Sequence, residues 1–213
     1  MISHEYRCIF IHIPRCAGSS IEAWIGGEDQ WFIEPAEKHL VASLARLIYA
    51  PYWKSYFKFA FVRDPFARTV SLLHYKDFFG VEVLPDGSVD LSGYLAHFGS
   101  PVTVEHDYRF FSRGSILSPR HKPNAVYANI LDEELDFIGR FENLYEDTER
   151  IRAAIGIRNR FVPHLQRSTS PPPPLSEAGM RQIEALYAED FRRFGYAPVF
   201  GSSPAFQAER MAS

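Results

Sequence analysis

The chain has 213 residues, 46% of them hydrophobic and 23% charged, enough apolar material for one globular domain with a substantial core. An aromatic content of 15% argues against disorder, and a formal net charge of −3 excludes a global positive field that would draw the chain to nucleic acid or to an anionic membrane. Two cysteines, Cys8 and Cys16, make no disulfide framework, and eight scattered histidines show no metal-ligand spacing. The apolar stretch 8–13 is too short and wrongly flanked for a signal peptide, and no run approaches the roughly 18 apolar residues of a membrane span. The expectation is a soluble, cytoplasmic protein without a metal, a nucleic-acid partner or a transmembrane segment.

Residues 6–13 form a short run of apolar, β-branched and aromatic residues, which predicts a buried strand. A loop of small residues follows over 14–20. Ser19 and Glu22 have capping-box spacing for a helix that begins near Ser20 and ends at Gly26 and Gly27. A second helix is expected over 37–49, stopped by Pro51. The clearest strand is 56–62. Asp64 then offers an N-cap with Pro65 at the first helical position, for a helix reaching about residue 79 with Phe66, Val70 and Leu73 on its apolar side. The stretch 80–124 is the least regular, with one helix expected over 91–98. Further expectations are a strand at 136–141, a helix at 146–154 ended by Gly156, a proline-rich linker at 168–174 and a long amphipathic helix over 175–194. On that helix Ile183, Leu186, Tyr187, Phe191 and Phe194 share one face. Strands alternating with helices imply an α/β fold with a mainly parallel sheet, and ligands of such sheets sit at the carboxyl ends of the strands.

Two segments at such strand ends carry chemistry. The first reads Ile11-His12-Ile13-Pro14-Arg15-Cys16-Ala17-Gly18-Ser19-Ser20. A strand entering a tight small-residue turn that opens a helix points backbone N–H groups and the positive helix end at one spot. Ser19 and Ser20 add hydroxyls, and Arg15 adds a planar fork suited to oxyanions. An ordinary strand–turn–helix connection is the competing reading. The phosphate-loop pattern G-x-x-x-x-G-K-[ST] is absent, since Gly18 has no following lysine, which disfavours a conventional ATPase or GTPase. The second segment runs from Phe59 through Arg63-Asp64-Pro65 to Arg68 and Ser71. Arg63 at the end of a buried strand is costly unless it meets an anion, either a ligand phosphate or a structural carboxylate.

Together "IFIHIPRCAGSS" and "FKFAFVRDPFARTVSLLHY" resemble the two donor-binding motifs of the carbohydrate sulfotransferase family, whose usual forms are P-K-T-A-G-T-S and F-V-R-(N/D)-P-x-x-R-x-x-S. The resemblance is to the heparan-sulfate 2-O, HNK-1 and chondroitin sulfotransferases and their bacterial relatives. Segments "DFIGRFENLYEDTERI", "VPHLQRS" and "EDFRRFGY" follow in the family order, so the likeness runs from about residue 6 to 196 and is weak over 80–124. It implies a P-loop-like sulfotransferase fold, a central mainly parallel β-sheet flanked by helices, as one domain over 1–213 with an acceptor-side insertion at about 80–124 and a tail at 197–213. It implies 3′-phosphoadenosine-5′-phosphosulfate as the sulfuryl donor, with no metal. Arg15, Ala17, Gly18, Ser19 and Ser20 would hold the 5′-phosphosulfate, and Arg63 and Ser71 the 3′-phosphate. Arg167 and Ser168 would close over the nucleotide. His39, placed 24 positions before Arg63, would be the base that takes the acceptor proton, with a helix-end histidine as the plainer alternative.

Arg15 departs from the family pattern, which has lysine there. Arginine holds its proton too strongly to act as a general acid but stabilises negative charge. Cys16, where threonine is usual, removes one hydroxyl donor. On the acceptor side, His106, Arg109, Arg113, Arg120, His121 and Lys122 are interleaved with Tyr108, Phe110 and Phe111, a composition suited to an acidic sugar chain or lipid headgroup and equally to a solvated loop. The reading is a sulfotransferase acting on a hydroxyl of a carbohydrate or glycolipid. Its rivals are a non-catalytic module binding phosphoadenosine nucleotides and a nucleotide-dependent phosphotransferase, the latter lacking an evident magnesium carboxylate.

Overall fold

The apolar run near the start forms strand β2 (Cys8–Ile11), and the second forms β3 (Phe57–Val62). In this computed structural model, residues 1–34, 37–75, 82–85, 88–91, 104–106, 119–121, 126–162 and 174–200 are described. With β1 (Ile2–Ser3) and β8 (Phe137–Arg140) these strands make a four-stranded sheet in the order β1-β2-β3-β8. The edge strand β1 is antiparallel to β2, whereas β2, β3 and β8 are mutually parallel, with Phe10 opposite Phe59 and Phe61 opposite Gly139. This is an α/β fold with a mixed sheet flanked by helices. Parallel strands are covered on both faces, and Ile9, Phe10, Ile11, Phe59, Ala60 and Phe61 are accordingly all buried. Gly139 is required by its neighbour, because a Cβ there would lie 2.5 Å from the Phe61 ring.

The helices between the strands are α1 (Gly18–Gly26), α2 (Gln30–Ile33), α3 (Ala42–Ile48) and α4 (Ala50–Trp53), then α5 (Pro65–Tyr75) after β3. Short strands β4 (Glu82–Val83) and β5 (Val89–Asp90) pair with each other, as do β6 (Val104–His106) and β7 (Pro119–His121). The chain continues through α6 (Tyr127–Ile130), β8, a single 3₁₀ turn (Phe141–Asn143), α7 (Leu144–Ile155), α8 (Glu177–Leu186) and α9 (Ala188–Phe194). Contacts divide it into two compact units: 1–63, 103–123 and 129–167 form the first, which holds the four-stranded sheet, and 64–102, 124–128 and 168–213 form the second. No helix among the described residues is long and apolar enough to cross a membrane.

Four local expectations need correction. The capping box does not form: α1 starts at Gly18 with Ala17 as N-cap, no side chain caps it, and Glu22 is drawn into the interior instead. Its end is as expected, with Gly27 closing the helix at φ 84°. Pro51 does not stop a helix over 37–49. It sits in the first turn of the separate helix α4, where its missing N–H costs nothing. On α5 the buried side is Arg68, Thr69, Leu72 and Leu73, while Phe66 and Val70 are half-buried. The helix expected over 175–194 is two helices, because Tyr187 at φ −103°, ψ 22° ends α8 and opens α9. Both ends of α7 are close to expectation, and Gly156 closes it in the left-handed conformation. The ends of the helices expected at 76–79 and 92–98, the linker at 168–173 and the tail at 201–213 lie outside the described residues.

The second unit has its own core. Arg68 is only 1% exposed, its guanidinium lying 4.6 Å from the centre of the Tyr127 ring and 6.0 Å from that of Tyr187. The Asp190 carboxylate, fully buried, accepts the Tyr127 N–H at 2.8 Å and the Ala128 N–H at 3.2 Å. Leu72, Leu73, Leu91, Ile183, Tyr187 and Phe191 fill the space around them.

Candidate functional site

After β2 the chain passes through His12 and Ile13, both buried, into a turn over 14–17 that closes with the Cys16 N–H on the Ile13 carbonyl at 3.4 Å. Arg15 and Ala17 lie in the left-handed region, at φ 67° and 65°, whereas the intervening Cys16 and the following Gly18 do not. Residues in the left-handed region at alternate positions turn the chain sharply into α1. Each non-glycine residue held there costs on the order of 1–2 kcal/mol, a strain that persists where the surroundings over-determine the backbone. The turn delivers Gly18, Ser19 and Ser20 into the first turn of α1, where N–H groups have no intrahelical acceptor and the helix end is positive. Cys16 is buried, forms no disulfide, and directs its thiol at the Pro14 carbonyl.

Beneath the loop lies a buried polar network. A Cβ on Gly18 would fall 2.0 Å from Nε2 of His12, so glycine at this place is dictated by the imidazole that fills its space. His12 Nδ1 lies 2.6 Å from Oε1 of Glu22, which is fully buried. The ammonium of Lys38, 6% exposed, donates to Glu22 Oε2 at 3.1 Å, to Ser19 Oγ at 3.3 Å and to Asp29 Oδ1. The Gln30 N–H adds a further bond to Glu22 Oε2 at 3.2 Å. Burial opposes ionisation of Glu22, but His12 and Lys38 outweigh it and hold the carboxyl below its usual range. Burial also dominates at His12 and drives the imidazole below its usual value against the pull of Glu22. The pair is therefore a carboxylate and a neutral imidazole whose Nδ1–H is donated to it.

His39 joins this network at half-buried depth. Its ring stands edge-on to that of His12 with centroids 4.3 Å apart, and its Nδ1 lies 3.3 Å from the His12 carbonyl. A carbonyl only accepts, so His39 Nδ1 carries a proton. The residue is held at φ 65°.

Arg63 follows β3 directly. Its Nη1 donates to the Arg15 carbonyl at 3.2 Å, and its guanidinium lies 4.1 Å over the ring of Phe141, which follows β8. The two motifs thus meet at the carboxyl ends of adjacent parallel strands, and the neighbouring strand supplies the aromatic floor. Asp64 caps α5 as expected, its Oδ1 accepting the Ala67 N–H at 2.9 Å. Ser71 lies on α5, half-buried, within the second unit. Arg167 and Ser168 lie outside the described residues, as do Tyr108, Arg109, Phe110, Phe111, Arg113 and Lys122.

In the first unit, then, Arg15, Ala17, Gly18, Ser19, Ser20, Arg63 and His39 converge on the strand ends. Lys38, Glu22 and His12 join them without having been singled out in the sequence for that role. Glu22 was masked by its capping-box spacing, and Lys38 offered no local signal beyond its place beside His39.

Residues 1–80 match the family model described as the sulfotransferase family, a span that includes Arg15, Lys38, His39, Arg63 and Ser71. The matched span is less than half of the 213-residue chain and stops before Arg167. A search of curated proteins and a search of solved structures each return no match.

Proposed function

We propose that this protein is a sulfotransferase that moves a sulfuryl group from 3′-phosphoadenosine-5′-phosphosulfate to an acceptor hydroxyl, on a carbohydrate or glycolipid of the kind used by the carbohydrate sulfotransferases. The observation that carries this reading is the Arg63–Arg15 contact at 3.2 Å, which joins the two donor motifs at the carboxyl ends of β2 and β3 inside the sulfotransferase-family match. On this reading the loop amides with Arg15, Ala17, Gly18, Ser19 and Ser20 take the 5′-phosphosulfate. Arg63 takes the 3′-phosphate, and Ser71, Arg167 and Ser168 are assigned to the nucleotide on the resemblance alone. The acceptor oxygen attacks sulfur in line, His39 Nε2 takes its proton, and the S–O bond to the 5′-phosphate breaks with its electron pair on the departing phosphate. Arg15 and the loop amides stabilise that charge. The products are the sulfated acceptor and adenosine 3′,5′-bisphosphate. The segment 80–124 meets the acceptor, and the protein works in the cytoplasm.

Adenosine 3′,5′-bisphosphate is expected to raise the melting temperature more than adenosine 5′-monophosphate at equal concentration, because Arg63 is engaged only by the former and stabilisation grows as ln(1 + [L]/Kd). Equal shifts would remove Arg63 from the nucleotide site. A labelled-donor screen over sugar, lipid and phenol acceptors then identifies the hydroxyl. Arg15 in the position of the usual lysine favours one second reading, a phosphoadenosine-binding module without turnover. That reading predicts nucleotide binding with no transfer to any acceptor, and a gain of transfer in Arg15→Lys.

A further inference from the structure

Four residues at the loop form a closed circuit. Lys38 is bonded covalently to His39, and the His39 Nδ1–H meets the His12 carbonyl at 3.3 Å. The imidazole of His12 meets Glu22 at 2.6 Å, and Glu22 returns to the Lys38 ammonium at 3.1 Å. Two spurs leave the circuit, one to Ser19 Oγ in the loop and one to Asp29. His39 is a histidine held at φ 65°, a conformation that a free backbone abandons. The residue before it cannot release this strain. Swinging residue 38 outward would take the ammonium from two carboxylates, Glu22 and Asp29, of which Glu22 is fully buried, and removing the counter-ion of a buried charge costs more than the strain does.

We propose that Lys38 is a positioning residue for His39: its buried ammonium, shared by Ser19, Glu22 and Asp29, fixes the imidazole against the anion loop with Nε2 as the basic nitrogen. The proposal deepens the assignment of His39 as the base and rests on it for its catalytic meaning. Lys38 itself touches neither donor nor acceptor. It acts through the peptide it shares with His39 and through the Ser19 hydroxyl, so the loop and the base are set as one piece.

The test is histidine tautomer mapping, by long-range ¹H–¹⁵N correlation on histidine-labelled full chain, with His39→Ala assigning the His39 signal. The wild type is expected to show His39 protonated at Nδ1. In Lys38→Met, which keeps the side-chain length and removes the charge, that signature is expected to give way to mixed tautomers. Asp29→Asn keeps Glu22 as counter-ion for the ammonium and covers the case in which Lys38→Met does not fold. It is expected to shift the His39 signal in the same direction by a smaller amount. A folded Lys38→Met, or a folded Asp29→Asn if the first is lost, with His39 signals superimposable on the wild type overturns the proposal. Failure of the wild type to bind the bisphosphate overturns the proposed function instead, and the tautomer result still decides whether Lys38 positions His39.

Discussion

Gly18 is the residue on which the loop depends most directly. An added methyl would meet the His12 ring at 2.0 Å, and that ring cannot retreat easily, being bonded to Glu22 at 2.6 Å and set edge-on to His39. Gly18→Ala is therefore expected to destabilise the fold by about 1–3 kcal/mol, the usual scale of overpacking, and to weaken nucleotide binding as well. Chemical denaturation with and without adenosine 3′,5′-bisphosphate measures both, and a variant of wild-type stability would show that His12 has another position to occupy. For His39 the expectation is the opposite split. His39→Ala should bind the bisphosphate almost as the wild type does while sulfate transfer falls about 10²–10⁴-fold, the range for loss of a general base. Transfer at the wild-type rate would make the imidazole structural and turn attention to His12, His74, His106 and His121. The two substitutions separate the loop's packing from its chemistry.

At the scale of elements, helix starts are set in two different ways. The entry of α1 relies on backbone conformation, with Ala17 at φ 65° and no side-chain cap, which leaves its first-turn amides turned toward the loop. By contrast α5 and α8 are capped by side chains, Asp64 accepting from Ala67 at 2.9 Å and Ser176 from Gly179 at 3.0 Å. Asp64→Ala is expected to cost about 1 kcal/mol of stability, the typical value for an N-cap, read from the midpoint of urea unfolding. An unchanged midpoint would mean that Pro65 alone sets the start of α5. The Asp64-Pro65 pair was legible in the sequence because a cap and a first-turn proline are signals carried by adjacent residues. The break at Tyr187 was not, since Ile183, Tyr187, Phe191 and Phe194 keep a continuous helical spacing across it, and their buried side chains satisfy that spacing in either arrangement.

Across the whole molecule, two buried carboxylates respond oppositely to pH. Asp190 is pushed up to about 6 by burial, against the opposing effects of the Tyr127 N–H, the Arg68 charge and the Ala128 N–H. Its folded-state pKa lies above the unfolded value of 3.8, so its contribution is full below that value and is lost as pH rises through about 6. Glu22 is held below its model-compound value of 4.5, so its contribution is present above that value and is lost as pH falls through the folded-state pKa. The stability of the wild type relative to Asp190→Asn is expected to decline between pH 4 and about 6 and to level off above, which parallel melting curves across a pH series would contradict. The same series on Glu22→Gln should slope the other way at acid pH.

The sequence by itself determined the α/β class, the two strands that end in polar motifs, and the cap and glycine stops of α5 and α7. These are written in residues that lie within a turn or a strand of one another, so periodicity and local hydrogen bonding are enough to specify them. Only the tertiary structure decided that Arg68 is a core cation in the second unit. It alone decided that Glu22 serves His12 and Lys38 instead of a cap, and that Lys38 stands at the loop. The partners in this network are separated by 10, 16 and 19 positions, and His39 from the His12 carbonyl by 27. A charged residue is exposed or buried according to what faces it, and what faces these residues is supplied by other elements only when the parallel strands bring the loop, α1 and the His39 segment together.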